Sequence, residues 1–190
     1  VFRHTGQAKV FTSEKDAIKA IKDGDIKAGD IMVVAGVGPM GTGMEETYQL
    51  TSALKHLSFG KHVSLITDAR FSGVSTGACF GHVGPEALAG GPLGKIQNGD
   101  VIEIIVDCNN LEGSINFIGT EDKRVIPEEG AKILAARESN PKMKSDADLP
   151  DETRLWAALQ SISGGTWRGC VYDIDRILAV IEAGKNALLK

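Results

Sequence analysis

The chain has 190 residues, 42% hydrophobic and 24% charged, a composition that supports a buried core of ordinary domain size. A formal net charge of −4 with no basic block argues against nucleic-acid or anionic-membrane partners, and no apolar run approaches the roughly 20 residues of a membrane span. The cysteines Cys79, Cys108 and Cys170 are odd in number, widely spaced and without a CxxC, so neither a disulfide framework nor a local metal knuckle is indicated and a reducing, cytoplasmic setting fits best.

The opening VFRHTGQAKVF is neither a signal nor a transit peptide and lacks an initiating methionine, as expected of a piece of a longer chain. TSEKDAIKAIKDG then predicts a short helix, with Ser13 as its cap, Ala17, Ile18 and Ile21 on one face, and Gly24 as its stop. AGDIMVVAG predicts a turn feeding a buried strand. MEETYQLTSALKHL predicts a helix with Leu50, Leu54 and Leu57 on one face, and KHVSLITD another strand. From Asp68 to Gly94 glycines and prolines dominate, which predicts long irregular loops of the kind that carry function.

QNGDVIEIIVD predicts a strand after a turn and repeats the Gly-Asp-strand arrangement of KAGDIMVV. IPEEGAKILAA predicts a helix with Pro127 in its first turn. RESNPKMKSDADLPDE is polar and proline-bearing, an exposed linker, and two helices are expected beyond it. In the last of these Ile174, Ile177, Leu178 and Ile181 line up. This divides the chain into a sheet core with motif loops over 1–138, a linker over 139–152 and C-terminal helices over 153–190.

Gly36, Gly38 and Gly41 spell GxGxxG between a strand and a helix, the context of a dinucleotide fold. That fold wants an acid about 20 residues on. Asp68 is the strand-end candidate, and it lies 27 positions past Gly41. Glu45 and Glu46 would also repel a pyrophosphate at that helix start. The same position favours a carboxylate, so either acid could serve as a rigid oxygen ligand for Mg²⁺, against the plainer reading that both decorate a helix start.

GVSTG matches a GxSxG nucleophile elbow with Ser75 as nucleophile. No histidine follows a later acid, so the match reads as chance. In DARFSG, Arg70 beside Ser72 suits a substrate carboxylate or phosphate, although Arg70 could instead pair with Asp68 or another acid and Ser72 cap a turn. His82 suggests a buried histidine holding its loop, and Cys79 a packing residue.

Four stretches in order, GPMGTGMEET, TDARFSGVSTG, GHVGPEALAGGP and NGDVIEI, resemble the motifs of the dihydroxy-acid, 6-phosphogluconate and sugar-acid dehydratase family. The tail from Arg137, above all DETRLWAALQSISGGTWRGCVYDIDRIL, is most similar to the family's D-xylonate branch. The resemblance covers only the family's C-terminal domain. It implies an α/β, swivelling-type domain with a mixed, β-barrel-like sheet flanked by helices, acting with its own N-terminal domain in a homo-oligomer. The activity implied is loss of water from an aldonic acid.

The implied cofactors are Mg²⁺ and an Fe–S cluster whose ligands belong to the N-terminal region. By the resemblance Glu46 is a Mg²⁺ ligand and Ser72 the catalytic base, with Arg70, Ser75 and His82 as candidates for substrate binding. The sequence departs from the family pattern at Thr42, Glu45, Thr47, Ala69 and Gly84, and the acid at Glu45 leaves two carboxylates competing for the metal.

Overall fold

A computed structural model describes residues 1–43 and 46–189 of the chain. The strands are β1 (Phe2–Phe11), β2 (Ile31–Val34), β3 (Glu46–Thr47), β4 (Ser64–Thr67), β5 (Arg70–Phe71), β6 (Ala78–Phe80), β7 (Asp100–Asp107) and β8 (Glu112–Thr120). The helices are α1 (Glu14–Asp23), α2 (Pro39–Thr42), α3 (Gln49–Lys55), α4 (Pro127–Ala136), α5 (Asp151–Ser163) and α6 (Ile174–Leu188). Six strands form one mixed sheet in the order β6-β4-β2-β1-β7-β8, curled into a half-barrel with helices around it. This is the mixed, barrel-like α/β class expected from the sequence. β1 joins the two halves of the sheet, pairing parallel with β2 and antiparallel with β7.

The alternation of side chains along β2 and β4 decides where the core sits. Ile31, Val33 and Ile66 face a core closed by Leu93, Ile102, Ile104, Phe117 and Leu134. Met32, Val34 and Leu65 face a second core against Ala17 and Ile21 of α1 and Leu50 and Leu54 of α3. Both strands are therefore covered on both faces, which is why they read as continuous apolar runs.

Local signals hold where they are strong. The Ser13 side chain accepts the Asp16 N–H at 3.1 Å, and Gly24 closes α1 with φ of 79°. The two Gly-Asp turns also share one construction. Gly29 and Gly99 take positive φ, and Asp30 and Asp100 each accept the N–H three residues back, from Lys27 and Gln97, at 2.8 Å.

The helix expected to begin at Met44 starts instead at Gln49, because Glu46–Thr47 pairs as a strand with Arg70–Phe71. Met44 and Glu45 lie outside the described residues. In α6 only Ile177 of the four aligned residues is buried, whereas Ile174, Leu178 and Ile181 are exposed. The expected linker is mostly exposed, yet it touches the domain at defined points. Asn140 N–H donates to Gly94 O at 2.8 Å, Asp146 N–H to Gly41 O at 3.1 Å, and Leu149 is buried.

Candidate active site

β2, β4 and β6 run parallel, so the segments leaving their C-terminal ends gather along one edge of the sheet. In open α/β sheets that edge is where ligands bind. The segments are the glycine loop after Val34, the DARFSG segment after Thr67 and the GHVGPEA segment after Phe80, which are the first three motifs of the sequence.

The glycine loop is held by two carboxylates of the chain itself. Asp68, buried, accepts the N–H groups of Gly36 and Val37 at 3.1 Å each and that of Ala87 at 2.8 Å. Glu86, fully buried, accepts Met40 N–H at 2.8 Å and Thr166 N–H at 3.1 Å. The donors that a pyrophosphate would need are thus occupied by internal anions, and the dinucleotide reading of GxGxxG is not favoured. The glycines serve close approach. A Cβ on Gly41 would lie 2.0 Å from Gly36 O, and one on Gly38 would lie 2.8 Å from a Glu86 oxygen. Burial raises the pKa of Asp68 even against its three N–H donors, and burial raises that of Glu86, with the Asp68 charge adding to the effect.

Next to this loop, β3 and β5 form a two-stranded parallel ladder that sets Glu46 opposite Arg70 and Thr47 opposite Phe71. Arg70 pairs with Glu46 at 2.8 Å. The ladder continues one step further, because Ser72 N–H donates to Thr47 O at 3.3 Å. Ser75 closes the turn that follows, its N–H donating to Ser72 O at 3.0 Å and its hydroxyl to Thr47 O at 3.4 Å. Glu46, Arg70, Ser72 and Ser75 therefore belong to one small framework.

His82 stands beside it, with its N–H donating to Ala69 O at 2.8 Å and φ of 54°. Its side chain is exposed, which corrects the reading of a buried histidine; the strained backbone, not burial, marks the position. Burial pushes the Cys79 thiol up, in keeping with a packing role on β6.

Among the described residues no group of three or more His, Cys, Asp or Glu side chains is placed to hold a metal. Glu46 offers one exposed carboxylate with one oxygen engaged by Arg70, which fits a single hard-cation ligand that others must complete. The cysteines assemble no cluster site among the described residues.

Sequence reasoning missed Glu86 altogether and read Asp68 as a nucleotide-ribose candidate. For Glu86 the available signal was an acid with no basic neighbour inside a glycine- and proline-rich stretch, where free backbone N–H groups are the natural partners.

The half-barrel thus gathers its motif loops on one sheet edge and sets a carboxylate, an arginine and a serine-bearing segment along one ladder there. Residues 1–150 match the dihydroxy-acid/6-phosphogluconate dehydratase C-terminal domain, and the chain belongs to that family. It is 68% identical over 188 residues to D-xylonate dehydratase YagF of Escherichia coli K12, and 64% identical over 188 residues to D-xylonate dehydratase YjhG of the same organism. These alignments cover 99% and 98% of the chain but 29% of each relative. A dihydroxy-acid dehydratase of Clostridium beijerinckii is 38% identical over 93% of the chain and 29% of its own length. The chain thus spans about three-tenths of the length of these relatives. No helix among the described residues is long and apolar enough to cross a membrane.

Proposed function

We propose that this chain is the C-terminal domain of a hydro-lyase that converts an aldonic acid, D-xylonate first, to the 2-keto-3-deoxy acid with loss of water. The observation that carries the reading is the β3–β5 ladder, which brings Glu46 within one strand spacing of the segment bearing Ser72.

In this reaction the proton on C2 leaves, the C3–oxygen bond breaks with its electron pair going to the departing hydroxyl, and that oxygen takes up a proton to leave as water. The remaining enol tautomerises to the ketone. Ser72 Oγ accepts the C2 proton. A neutral serine is a poor base, so it acts as an alkoxide, and Arg70, two residues before it, supplies positive charge that favours that form. Glu46 provides a carboxylate oxygen to Mg²⁺, which when bound offsets the charge developing on the substrate carboxylate. Ser75 fixes the turn that presents Ser72, and His82 lies at the same edge to meet the substrate hydroxyls.

The family's Fe–S cluster finds no ligand set among the described residues of this chain, so we assign it to the N-terminal domain and draw no step through it. The chain alone is expected to be inactive. The full protein is expected to work as a cytoplasmic homo-oligomer.

The test uses the full-length enzyme, assayed anaerobically on D-xylonate, other aldonic acids, 6-phosphogluconate and a branched 2,3-dihydroxy acid. Ser72→Ala should lower turnover by about 10²–10⁴-fold with Mg²⁺ still bound; substantial residual dehydration would remove Ser72 as the base. Glu46→Gln should weaken Mg²⁺ binding. Unchanged affinity there, with a fall in Glu45→Gln, would move the ligand to Glu45.

A further inference from the structure

The segment after residue 144 hydrogen-bonds the glycine loop. Ser145 Oγ donates to Met40 O at 2.9 Å, and Asp146 N–H donates to Gly41 O. A Cβ on Gly43 would meet Thr153 O at 2.9 Å and the Trp156 Cβ at 3.0 Å, so α5 lies directly on the end of α2. Further on, the short turn Gly165–Arg168 meets Glu86 from both directions. Thr166 N–H donates to the Glu86 carboxylate, and Glu86 N–H donates to Thr166 Oγ1 at 2.9 Å. Gly165 sits so close that a Cβ there would lie 2.2 Å from a Glu86 oxygen. Trp167 Nε1–H donates to Ala89 O at 2.6 Å.

Met40 N–H donates to the other Glu86 oxygen, so one buried carboxylate joins three separate parts of the chain. These are the glycine loop, the GHVGPEA segment and a C-terminal turn that lies beyond the 1–150 family match. Among the described residues no Lys, Arg or His is paired with Glu86, and its carboxylate oxygens accept N–H groups. A buried acid in that position is retained at a cost, which the geometry it imposes must justify.

We infer that Glu86 and Thr166 are positioning residues that clamp the glycine loop to the C-terminal helices and so set the approach of the following β3 ladder, with Glu46, to the reacting centre. The inference rests on the proposed dehydratase site. It assigns to residues 151–189, outside the family match, a part in building that site. Glu86 acts through the loop and touches no reactant.

The experiment compares Glu86→Gln, Thr166→Val and Thr166→Ser in the full-length enzyme. Glutamine presents an amide N–H₂ to one of two N–H donors, and valine removes the acceptor for Glu86 N–H, whereas serine keeps it. Each lost hydrogen bond should lower kcat about five- to tenfold, with KM for D-xylonate unchanged, and weaken Mg²⁺ binding to the metal-free protein to a similar degree. Amide exchange should accelerate in residues 36–43 while β2 and β4 keep their protection, and Thr166→Ser should restore both exchange and turnover.

Unchanged loop exchange in Thr166→Val would overturn the clamp. Faster exchange with wild-type kcat and Mg²⁺ affinity would overturn its positioning role. If Glu86→Gln fails to fold, Thr166→Val decides alone. Failure of the proposed site has a separate signature, since Glu46→Gln and Ser72→Ala would then both leave turnover intact.

Discussion

The Arg70–Glu46 pair separates stability from function at the level of single residues. The side chains are 44% and 40% exposed, and an exposed ion pair contributes about 0–1 kcal/mol. Arg70→Met should therefore move the unfolding free energy by less than about 1 kcal/mol. In the proposed site the same change removes the cation beside Ser72 and releases Glu46. The expected outcome in the full-length enzyme is a large fall in kcat with a thermal midpoint near that of the wild type. A variant that lost both together would show that the pair holds the ladder rather than serving the chemistry. Asp68 is the converse case, because it is buried and takes three N–H groups, so its replacement disturbs the loop before it disturbs any reactant.

Among the elements, the glycine loop shows how position outweighs composition. Gly41 has an ordinary φ, yet a Cβ there would fall 2.0 Å from the backbone oxygen of Gly36, and backbone cannot turn away as a side-chain tip can. Gly73 has no atom within 4 Å of its built Cβ and no positive φ. Gly41→Ala should cost about 1–3 kcal/mol and disorder the loop, whereas Gly73→Ala should leave stability within about 0.5 kcal/mol. Chemical denaturation of the two variants checks the contrast.

The same contrast explains what was legible beforehand. α1, β2, β4 and β7 carry their own instructions in caps, apolar runs and Gly-Asp turns, and they form where those signals lie. β3 carries none: Glu46–Thr47 is a strand only because Arg70–Phe71 runs beside it, so a helix was expected there. β1 and β8 were not anticipated as strands either. Their mixed burial, with one buried residue in β1 and two in β8, leaves little apolar alternation to detect. Four of the candidate site residues, Glu46, Arg70, Ser72 and Ser75, were legible as motif letters, and the ladder brings their segments together. Glu86 was not, since its role exists only once Thr166, 80 positions away in sequence, has been folded onto it.

In the whole molecule, two buried acids that pair with no cation among the described residues leave a trace in the pH dependence of stability. Burial raises Asp68 above its ordinary value of 3.8 and Glu86 above 4.5. The folded chain then keeps protons over an interval in which the unfolded chain has released them. Stability from these groups is greatest below the ordinary values, declines as pH rises through the interval up to the raised values, and is level above it. Asp68→Asn, which mimics the protonated acid in shape, removes the Asp68 share of that decline. In the full-length enzyme, the thermal midpoint of the wild type minus that of Asp68→Asn should therefore fall as pH is raised from about 4 and then become constant. Taking the difference cancels the shared groups that do not feel the Asp68 charge; Glu86, which does, adds to the decline in the same direction. A difference that grew with pH would mean that the three N–H donors outweigh burial at Asp68, and that the glycine loop is held by an anion the fold favours rather than one it tolerates.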